Sequence, residues 1–300
     1  MKFSFFKAKN VLPEKSKVVK VGLALGGGAS RGIAHIGAIK AFEENNIKFD
    51  FIAGTSVGSI MGAMYACGKS ADEMLKIAKS LKVKDIRKSK FFMPSKTEGI
   101  EELVKENLGD IDISQTKIPY CCVVVDLISA QEVVITKGNL SKAVAGSCAI
   151  PGVFNPVIFN NMHLVDGGLQ NNIPSDIPRY FGCDYVIAID VNATRGEGTN
   201  SLKLVDILKA TIGIMGKSNC IKGYSDADLV IRPSMKKYKS TKLDDVDEMF
   251  AEGYQAAIDN IPKILSIISK KPKRAYKKKY LINLKWIVTY IHQICKKQKK

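Results

Sequence analysis

Histidine is scarce in this chain, with three copies in 300 residues, at His35, His163 and His292. The usual serine hydrolase triad has the chain order serine, acid, histidine. In the last third of the sequence, His292 alone is available for the third position, and it lies in a strongly basic segment. The shortage of histidine therefore argues against a standard triad.

Paired or metal-type cysteines are also missing. The seven cysteines are odd in number and show no metal-ligand spacing, which indicates reduced thiols and no zinc site. Cys121 and Cys122 are neighbours in a strand-like run, so they point to opposite faces and suit core packing. The apolar patch Phe3–Phe6 is too short for a secretory signal, and we expect a cytoplasmic protein that needs no metal or cofactor.

The net charge of +17 lies almost wholly at the two ends of the chain. Residues 1–20 hold six lysines and one acid, and residues 271–300 hold eleven basic residues and no acid. The 250 residues between them carry 29 basic and 28 acidic side chains. A near-neutral body with basic ends is unlike a nucleic-acid-binding face, so we expect no nucleic-acid partner.

The basic C-terminal segment carries an amphipathic pattern. Apolar residues recur at three- and four-residue steps between Tyr276 and Cys295, with lysines on both sides. The stretch is too short to span a bilayer. Two interpretations remain open: the helix lies on an anionic membrane at the inner face, or its apolar side packs on the body. We divide the chain into a basic tail (1–17), a catalytic domain (18–270) and a second basic tail (271–300).

Strand and helix patterns alternate through the body. Strands are predicted at Val18–Leu25, Tyr120–Val125, Val133–Ile135, Tyr185–Val191 and Leu229–Ile231. Helices are predicted at Ser30–Glu44, Ile60–Ala66, Ala71–Leu81, Gly99–Asn107, Ser141–Ser147, Leu202–Gly216 and Val246–Ile268. This alternation predicts a three-layer α/β/α sandwich with a mostly parallel central sheet, and ligand sites at the carboxyl ends of its strands.

A G-x-S-x-G pentapeptide, Gly54–Gly58, follows the apolar run Phe51–Ala53 and precedes a helical pattern. A serine on a tight strand-to-helix turn exposes its Oγ, and the start of the helix favours negative charge beside that oxygen. Ser56 is therefore a candidate nucleophile. The alternative is that Ser56 is a simple helix N-cap.

Three glycines, Gly26–Gly28, follow the first strand and open a helix. Their amides can form an anion-binding nest, which we interpret as an oxyanion hole for an acyl intermediate. The alternative is a dinucleotide site, with Asp50 as the ribose acid. That motif would place its third glycine at Arg31, where a bulky cation would crowd the packing of helix on strand.

Asp166 is the candidate base, followed by Gly167 and Gly168, which allow the loop to approach the serine closely. A carboxylate with an ordinary pKa of about 3.9 is a weak base at neutral pH, so the site must desolvate it. Asp166 could instead be the turn acid of an Asp-Gly hairpin. His163 fits a surface position beside it.

These blocks together resemble the patatin-like phospholipase family, over about Val18 to Val191. The matching segments are Gly26–Gly28 with Arg31, Gly32, His35 and Gly37; Gly54–Gly58; Ala149–Phe154; and Asp166–Gly168. The resemblance implies a Ser–Asp dyad of Ser56 and Asp166 with an oxyanion hole from Gly26, Gly27 and Gly28. It also implies hydrolysis of phospholipid or lysophospholipid acyl esters without a metal, and it implies that Arg31, Gly54, Gly58, Gly167 and Gly168 support the motifs.

Some assignments stay open on the sequence alone. Arg31 could bind a substrate phosphate, orient the glycine nest or form a structural ion pair. His35 is expected to be a packed helix residue. A catalytically weak lipid-binding or regulatory protein with the same pocket is the alternative to an esterase.

Overall fold

The computed structural model describes residues 19–81, 95–192, 200–239 and 243–270. The predicted basic tails, 1–17 and 271–300, lie outside these residues. Within the described part, no helix combines the length and the apolar character needed to cross a bilayer.

Eight strands of the described residues form one sheet. They are β1 (Val21–Leu25), β2 (Phe51–Thr55), β3 (Tyr120–Asp126), β4 (Gln131–Ile135), β5 (Val157–Phe159), β6 (Met162–Asp166), β7 (Tyr185–Ile189) and β8 (Leu229–Ile231). The first three strands and β7 read as near-continuous apolar runs and are buried along their whole length, as expected for strands covered on both faces.

Nine α-helices are described between or after these strands. They are α1 (Ile33–Glu44), α2 (Val57–Ala66), α3 (Ala71–Ser80), α4 (Glu98–Leu108), α5 (Leu140–Ser147), α6 (Asp176–Tyr180), α7 (Leu204–Asp226), α8 (Val246–Ile258) and α9 (Ile261–Ile268). A 3₁₀ turn, Ala29–Gly32, leads into α1, and another, Gly167–Leu169, follows β6.

The sheet is parallel from β8 through β7, β1 and β2 to β3. The short strands β4 and β6 pair antiparallel with β3, and β5 pairs antiparallel with β6. This topology confirms the prediction of a mostly parallel central sheet. The carboxyl ends of β1 and β2 lie side by side, since Leu25 pairs with Gly54.

Alternate residues of the central strands face two separate cores. Leu23 and Leu25 of β1 belong to the larger core, which includes residues from α1 to α5, α8 and α9. Ala24, between them, faces the smaller core beneath α6 and α7, where Ile177 and Cys220 are buried. Helices therefore cover both faces, and the predicted α/β/α layering is confirmed.

Several predicted boundaries were wrong. The helix predicted over Val246–Ile268 is two helices, because the chain turns at Asp259 and Asn260. The proline in the first turn of α9 fits there, because no intrahelical amide donor is needed at that position. The first strand begins at Val21 rather than Val18, which is outside the described residues.

The helix predicted over Leu202–Gly216 begins at Leu204 and continues to Asp226. Tertiary contacts hold its second half, because Asn219 donates to the Leu169 carbonyl and Gly223 packs directly against Ile173. The hairpin of β5 and β6 was missed, because strands of three and five residues carry little periodic signal.

Candidate active site

Ser56 occupies a strained turn between β2 and α2. Its backbone has φ 53° and ψ −128°, a region that non-glycine residues rarely adopt. Strain of this kind persists only where the surrounding structure enforces it, and it gathers at functional sites. Ser56 stands at the N-cap position of α2, yet its side chain makes no capping hydrogen bond. The simple N-cap alternative is therefore not supported.

The two motif glycines allow the turn to pack tightly on the sheet. A Cβ on Gly58 would lie 2.1 Å from the Leu25 carbonyl oxygen, and a Cβ on Gly54 would lie 2.4 Å from the Gly58 oxygen. Neither contact tolerates a side chain. Both glycines thus hold α2 directly against the ends of β1 and β2.

Ser147 fixes the backbone of the turn and was missed in the sequence. The Ser56 N–H donates to Ser147 Oγ at 2.9 Å, and that hydroxyl donates to the Val123 carbonyl at 2.7 Å. Both groups are buried, so each needs this partner. A lone serine at the end of α5 carries no motif, and a contact across 91 residues has no local signal.

The register of β3 brings Asp166 to the serine. Thr55, the last residue of β2, pairs with Val123, and Asp166, the last residue of β6, pairs with Val124. Since Val124 also pairs with β4, strands β2 and β6 share the other edge of β3 and approach each other end to end. The predicted nucleophile and base therefore meet at one point of the sheet.

Asp166 lies next to Ser56 where β2 and β6 meet, and both residues line one cavity. The Asp166 Oδ1 accepts from the Gly168 N–H at 2.8 Å. Burial raises the pKa of Asp166 to about 6, while the Ser56 hydroxyl and the Gly168 N–H lower it by less. The residue is 6% exposed. The carboxyl group is thus desolvated as a base at neutral pH requires, and it retains a local turn bond to Gly168.

The glycine loop supplies fewer free amides than the sequence predicted. The Gly26 N–H donates to the Ile189 carbonyl at 3.0 Å, and the Gly27 N–H donates to the Asn172 carbonyl at 3.1 Å. The amides of Gly26 and Gly27 already have acceptors. This corrects the prediction that all three glycine amides of the loop form the oxyanion hole. No described residue accepts from the Gly28 N–H. Gly28 remains as the donor from this loop.

Gly27 is needed for a close approach to the serine. A Cβ there would lie 2.6 Å from Asn172 Oδ1 and 3.1 Å from the Cβ of Ser56. Gly168 faces the same amide, since its Cβ would lie 2.9 Å from Asn172 Oδ1. Asn172 therefore lies between the two glycine loops, and it too was missed in the sequence.

Arg31 and His35 support the loop from behind. Arg31 is 1% exposed; its Nε and Nη2 donate to the Tyr238 carbonyl, and its Nη1 lies 3.5 Å from Asn192 Oδ1. Asn192 in turn donates to the Gly27 carbonyl at 2.8 Å. These contacts favour the nest-orienting role of Arg31 over phosphate binding, because a guanidinium so buried is closed to a ligand.

His35 is fully buried, and its Nε2 lies 2.8 Å from the Gly26 carbonyl oxygen. Burial lowers the pKa of His35 to about 4, against the opposing effect of that hydrogen bond. The neutral ring therefore donates from Nε2 to the loop. This agrees with the expectation of a packed helix residue.

Two other candidates lie away from the site. Asp50 precedes β2 and accepts from the Val21 N–H at 2.7 Å, at the amino ends of the strands. The glycine loop lies at their carboxyl ends, so the ribose acid of the dinucleotide alternative is on the wrong edge. His163 is exposed on β6, as expected, and His292 lies outside the described residues.

A cavity of about 850 Å³ opens over Ser56 and Asp166. Ser56, Asp166, Gly27 and Gly28 line its floor. Apolar residues of α2, α3 and α4 line one part of the wall, namely Met61, Met64, Met74, Ile77, Ala78 and Leu103. A volume of this size accommodates a drug-sized or lipid-sized ligand.

In the part of the chain that the structure describes, no group of three or more histidine, cysteine or acidic side chains is arranged to hold an ion. The described residues do offer a serine on a strained turn, a buried carboxyl group next to it, and a free loop amide beside an apolar cavity. That arrangement suits acyl transfer through a serine.

A comparison with protein families points to a family of lipid hydrolases. The family model described as patatin-like phospholipase matches residues 23–178, which is just over half of the chain. The chain therefore belongs to the patatin-like phospholipase family.

Relatives extend the likeness at moderate identity. An uncharacterized NTE family protein of Mycobacterium tuberculosis is 35% identical over 182 residues, which cover 58% of this chain and 50% of that protein. The lysophospholipase nte1 of Aspergillus fumigatus is 32% identical over 181 residues, covering 58% and 12% respectively. The neuropathy target esterase sws of Drosophila melanogaster is 27% identical over 272 residues, covering 78% and 19%. The chain spans half or less of the length of these relatives.

Solved structures give a weaker likeness. VipD from Legionella pneumophila overlaps with a TM-score of 0.48 at 12% identity, covering 83% of this chain and 67% of that one. Human GIVD cytosolic phospholipase A2 overlaps with a TM-score of 0.44 at 10% identity, covering 86% and 60%. At these values the likeness carries no argument about this chain.

Proposed function

We propose that the protein is a serine acyl hydrolase that cleaves the acyl esters of lipids through a Ser56–Asp166 dyad. The observation that carries the proposal is that a serine on a strained turn and a buried carboxyl group of raised pKa lie side by side in one cavity. Family membership and the apolar cavity above the pair support the same assignment.

In the acylation step, Ser56 Oγ attacks the ester carbonyl carbon and its proton passes to Asp166. The carbonyl oxygen becomes an oxyanion, which accepts from the Gly28 N–H and lies near the positive end of α2. When the intermediate collapses, the ester C–O bond breaks and the leaving alkoxide takes the proton from Asp166. The products of this step are the alcohol and an acyl group bound to Ser56.

In the deacylation step, a water molecule attacks the acyl-serine carbonyl while Asp166 accepts its proton. The second intermediate breaks the bond to Ser56 Oγ, which recovers the proton from Asp166. The free fatty acid leaves, and the enzyme returns to its starting state. One carboxyl group thus serves as base and then as acid in each half of the cycle.

The apolar wall favours a long acyl chain over a short one. Each buried methylene contributes roughly 0.8 kcal/mol, so a chain of ten carbons in the cavity adds several kcal/mol of binding energy. We therefore expect phospholipid or lysophospholipid esters to be better substrates than short esters.

A fluorophosphonate probe tests the proposal directly, because only an activated serine reacts with it. The expected result is covalent labelling of the wild type, no labelling of Ser56→Ala, and fatty-acid release from lysophospholipid that depends on Ser56. Ser59→Ala is a matched control, since this neighbouring buried serine has its hydroxyl bonded to the Ser56 carbonyl. If wild-type protein binds lipid yet escapes labelling, the catalytically weak lipid-binding alternative is correct.

The basic segment 271–300 supports a second element of the proposal, contact with an anionic membrane. Eleven basic residues accompany an amphipathic pattern there, and each lysine near such a surface adds about 1 kcal/mol. The full chain is expected to co-sediment with vesicles containing phosphatidylserine at low salt. A variant that lacks residues 271–300 is expected to stay in the supernatant. Equal sedimentation of both forms would refute the idea.

A further inference from the structure

Arg232 is the one cation among the described residues that line the cavity, and Asp166 is the one anion. Arg232 follows β8 directly, at the carboxyl edge of the sheet where the dyad lies. Its side chain is exposed. Within the described residues no carboxylate lies within ion-pair distance of the guanidinium. A cation left open in the wall of a substrate cavity is available for a negatively charged group of the ligand.

An aromatic ring holds the guanidinium in place. The guanidinium carbon of Arg232 lies 4.5 Å from the centre of the Tyr224 ring, a cation–π contact. The Tyr224 hydroxyl donates to Asp190, which fixes the ring. Asp190 itself is fully buried and also accepts from the Asn192 N–H at 2.8 Å. Asp190 is therefore committed to other donors, and the arginine is positioned by the ring rather than by an ion pair.

Contacts connect this position to the catalytic floor. Arg232 lies over Tyr224, which is one helical turn from Cys220 on α7, and all three residues line the cavity. Cys220 accepts from the Asn172 amide at 3.5 Å, and Asn172 adjoins Gly27. The arginine thus lies on the glycine-loop side of the cavity, across from the apolar wall of α2 to α4.

The distance suits a glycerophospholipid. Three strand spacings separate β8 from β2, which amounts to about 14 Å, and the long arginine side chain covers part of it. Six bonds separate the acyl carbonyl carbon from the phosphorus in a 1-acyl glycerophospholipid, a span of about 8 Å from ordinary bond lengths. With the acyl chain along the apolar wall and the carbonyl at Ser56, the phosphate extends toward Arg232.

We propose that Arg232, held over Tyr224, binds the phosphate of the substrate head group and makes the site selective for phosphate-bearing acyl esters over neutral glycerides. The inference rests on the proposed acyl hydrolase function. It assigns Arg232 a role that Arg31 cannot fill, since Arg31 is buried under the glycine loop.

Steady-state hydrolysis of two substrates with the same acyl chain tests the proposal. One is a 1-acyl lysophosphatidylcholine and the other is a 1-monoacylglycerol, both below their micelle-forming concentrations. In Arg232→Gln, kcat/KM for the phosphate-bearing substrate is expected to fall about 10- to 100-fold, the usual loss for a charge-assisted hydrogen bond. The value for the neutral ester is expected to change less than about twofold. Arg232→Lys, which keeps the charge, is expected to recover part of the loss.

Lys237→Gln is the matched control. Lys237 also lies over a ring, 5.0 Å from the centre of Tyr238, but it pairs with Glu252 and does not line the cavity. In Lys237→Gln, the ratio of kcat/KM for the phosphate-bearing substrate to kcat/KM for the neutral substrate is expected to equal that of the wild type. An equal loss on both substrates in Arg232→Gln would mean a structural role, and no change would mean a solvated arginine; either result overturns the proposal.

A binding measurement separates this inference from the proposed function. An ether analogue of the lysophospholipid has no ester to cleave, so its affinity for Ser56→Ala protein reports on the head-group contact alone. The affinity is expected to fall about 10-fold or more when Arg232→Gln is added. Unchanged affinity would refute the phosphate site even if the enzyme is active. A fall in affinity without any Ser56-dependent hydrolysis would refute only the acyl hydrolase assignment.

Discussion

The buried state of Asp166 makes a prediction about stability that is independent of any substrate. Its pKa in the folded protein is about 6, raised from the ordinary 3.8 mainly by burial. Folding therefore favours the protonated carboxyl group, and the ionised form costs stability. Asp166→Asn removes the ionisation while keeping an oxygen to accept from the Gly168 N–H.

The sign follows from proton binding. Between about pH 4 and pH 6 the folded state holds the Asp166 proton and the unfolded chain has lost it, so stability falls as pH rises. The difference between a pKa of about 6 and one of 3.8 corresponds to about 3 kcal/mol, at 1.36 kcal/mol for each tenfold change. Relative to Asp166→Asn, the wild type is expected to lose this amount between about pH 3 and pH 7.

Urea unfolding of both proteins at a series of pH values measures the effect. All other titrating groups are shared, so the difference between the two unfolding free energies isolates Asp166. The difference between the two unfolding free energies is expected to change by about 3 kcal/mol in favour of the asparagine variant, with its midpoint near about pH 5, halfway between the two pKa values. Two stability curves that run parallel across the range would refute the claim that the carboxyl group is desolvated.

Three further predictions concern catalysis and the turn. In the proposed mechanism Asp166 acts as a carboxylate, so kcat/KM for a neutral ester is expected to fall about tenfold per pH unit below about 6 and to level off above it; a flat profile down to about pH 5 would contradict this. Ser147→Ala leaves the buried Ser56 N–H and the Val123 carbonyl unpaired, and urea unfolding is expected to show a loss of about 1–3 kcal/mol, whereas an unchanged midpoint would count against the bridge. Ile77→Trp fills part of the apolar wall, so hydrolysis of long-chain esters is expected to fall at least about tenfold while short esters are spared, and equal effects on both would disprove the acyl assignment of that wall.

Local sequence patterns predicted much of the fold. The strands near Val21–Leu25 and Tyr120–Asp126 are long apolar runs, and α3 begins with a capping box at Ser70 and Glu73. The hairpin of β5 and β6 was missed because such short strands depend on their pairing partner. The break between α8 and α9 was missed because the apolar pattern continues across it.

In the candidate site, too, residues in local motifs could be predicted and residues that depend on distant contacts could not. Ser56, Asp166 and the glycine loop stand in motifs whose spacing is visible along the chain. The contributions of Ser147, Asn172 and Arg232 depend on contacts between distant segments, which no local pattern records. The hydrogen bonds of the Gly26 and Gly27 amides could not be predicted for the same reason, since their acceptors lie on β7 and on the loop after β6.

The end-to-end meeting of β2 and β6 on β3 has a mechanical consequence. Val123 and Val124, the two anchor points, are joined by a single peptide bond, with Cα atoms about 3.8 Å apart. Because covalent bonds join the two anchor points, bending of the sheet or sliding of a helix moves them together. The distance between the Ser56 hydroxyl and the Asp166 carboxyl group is therefore held nearly constant. The spacing of the two anchor points is set by the backbone of β3 and does not depend on how the surrounding helices pack.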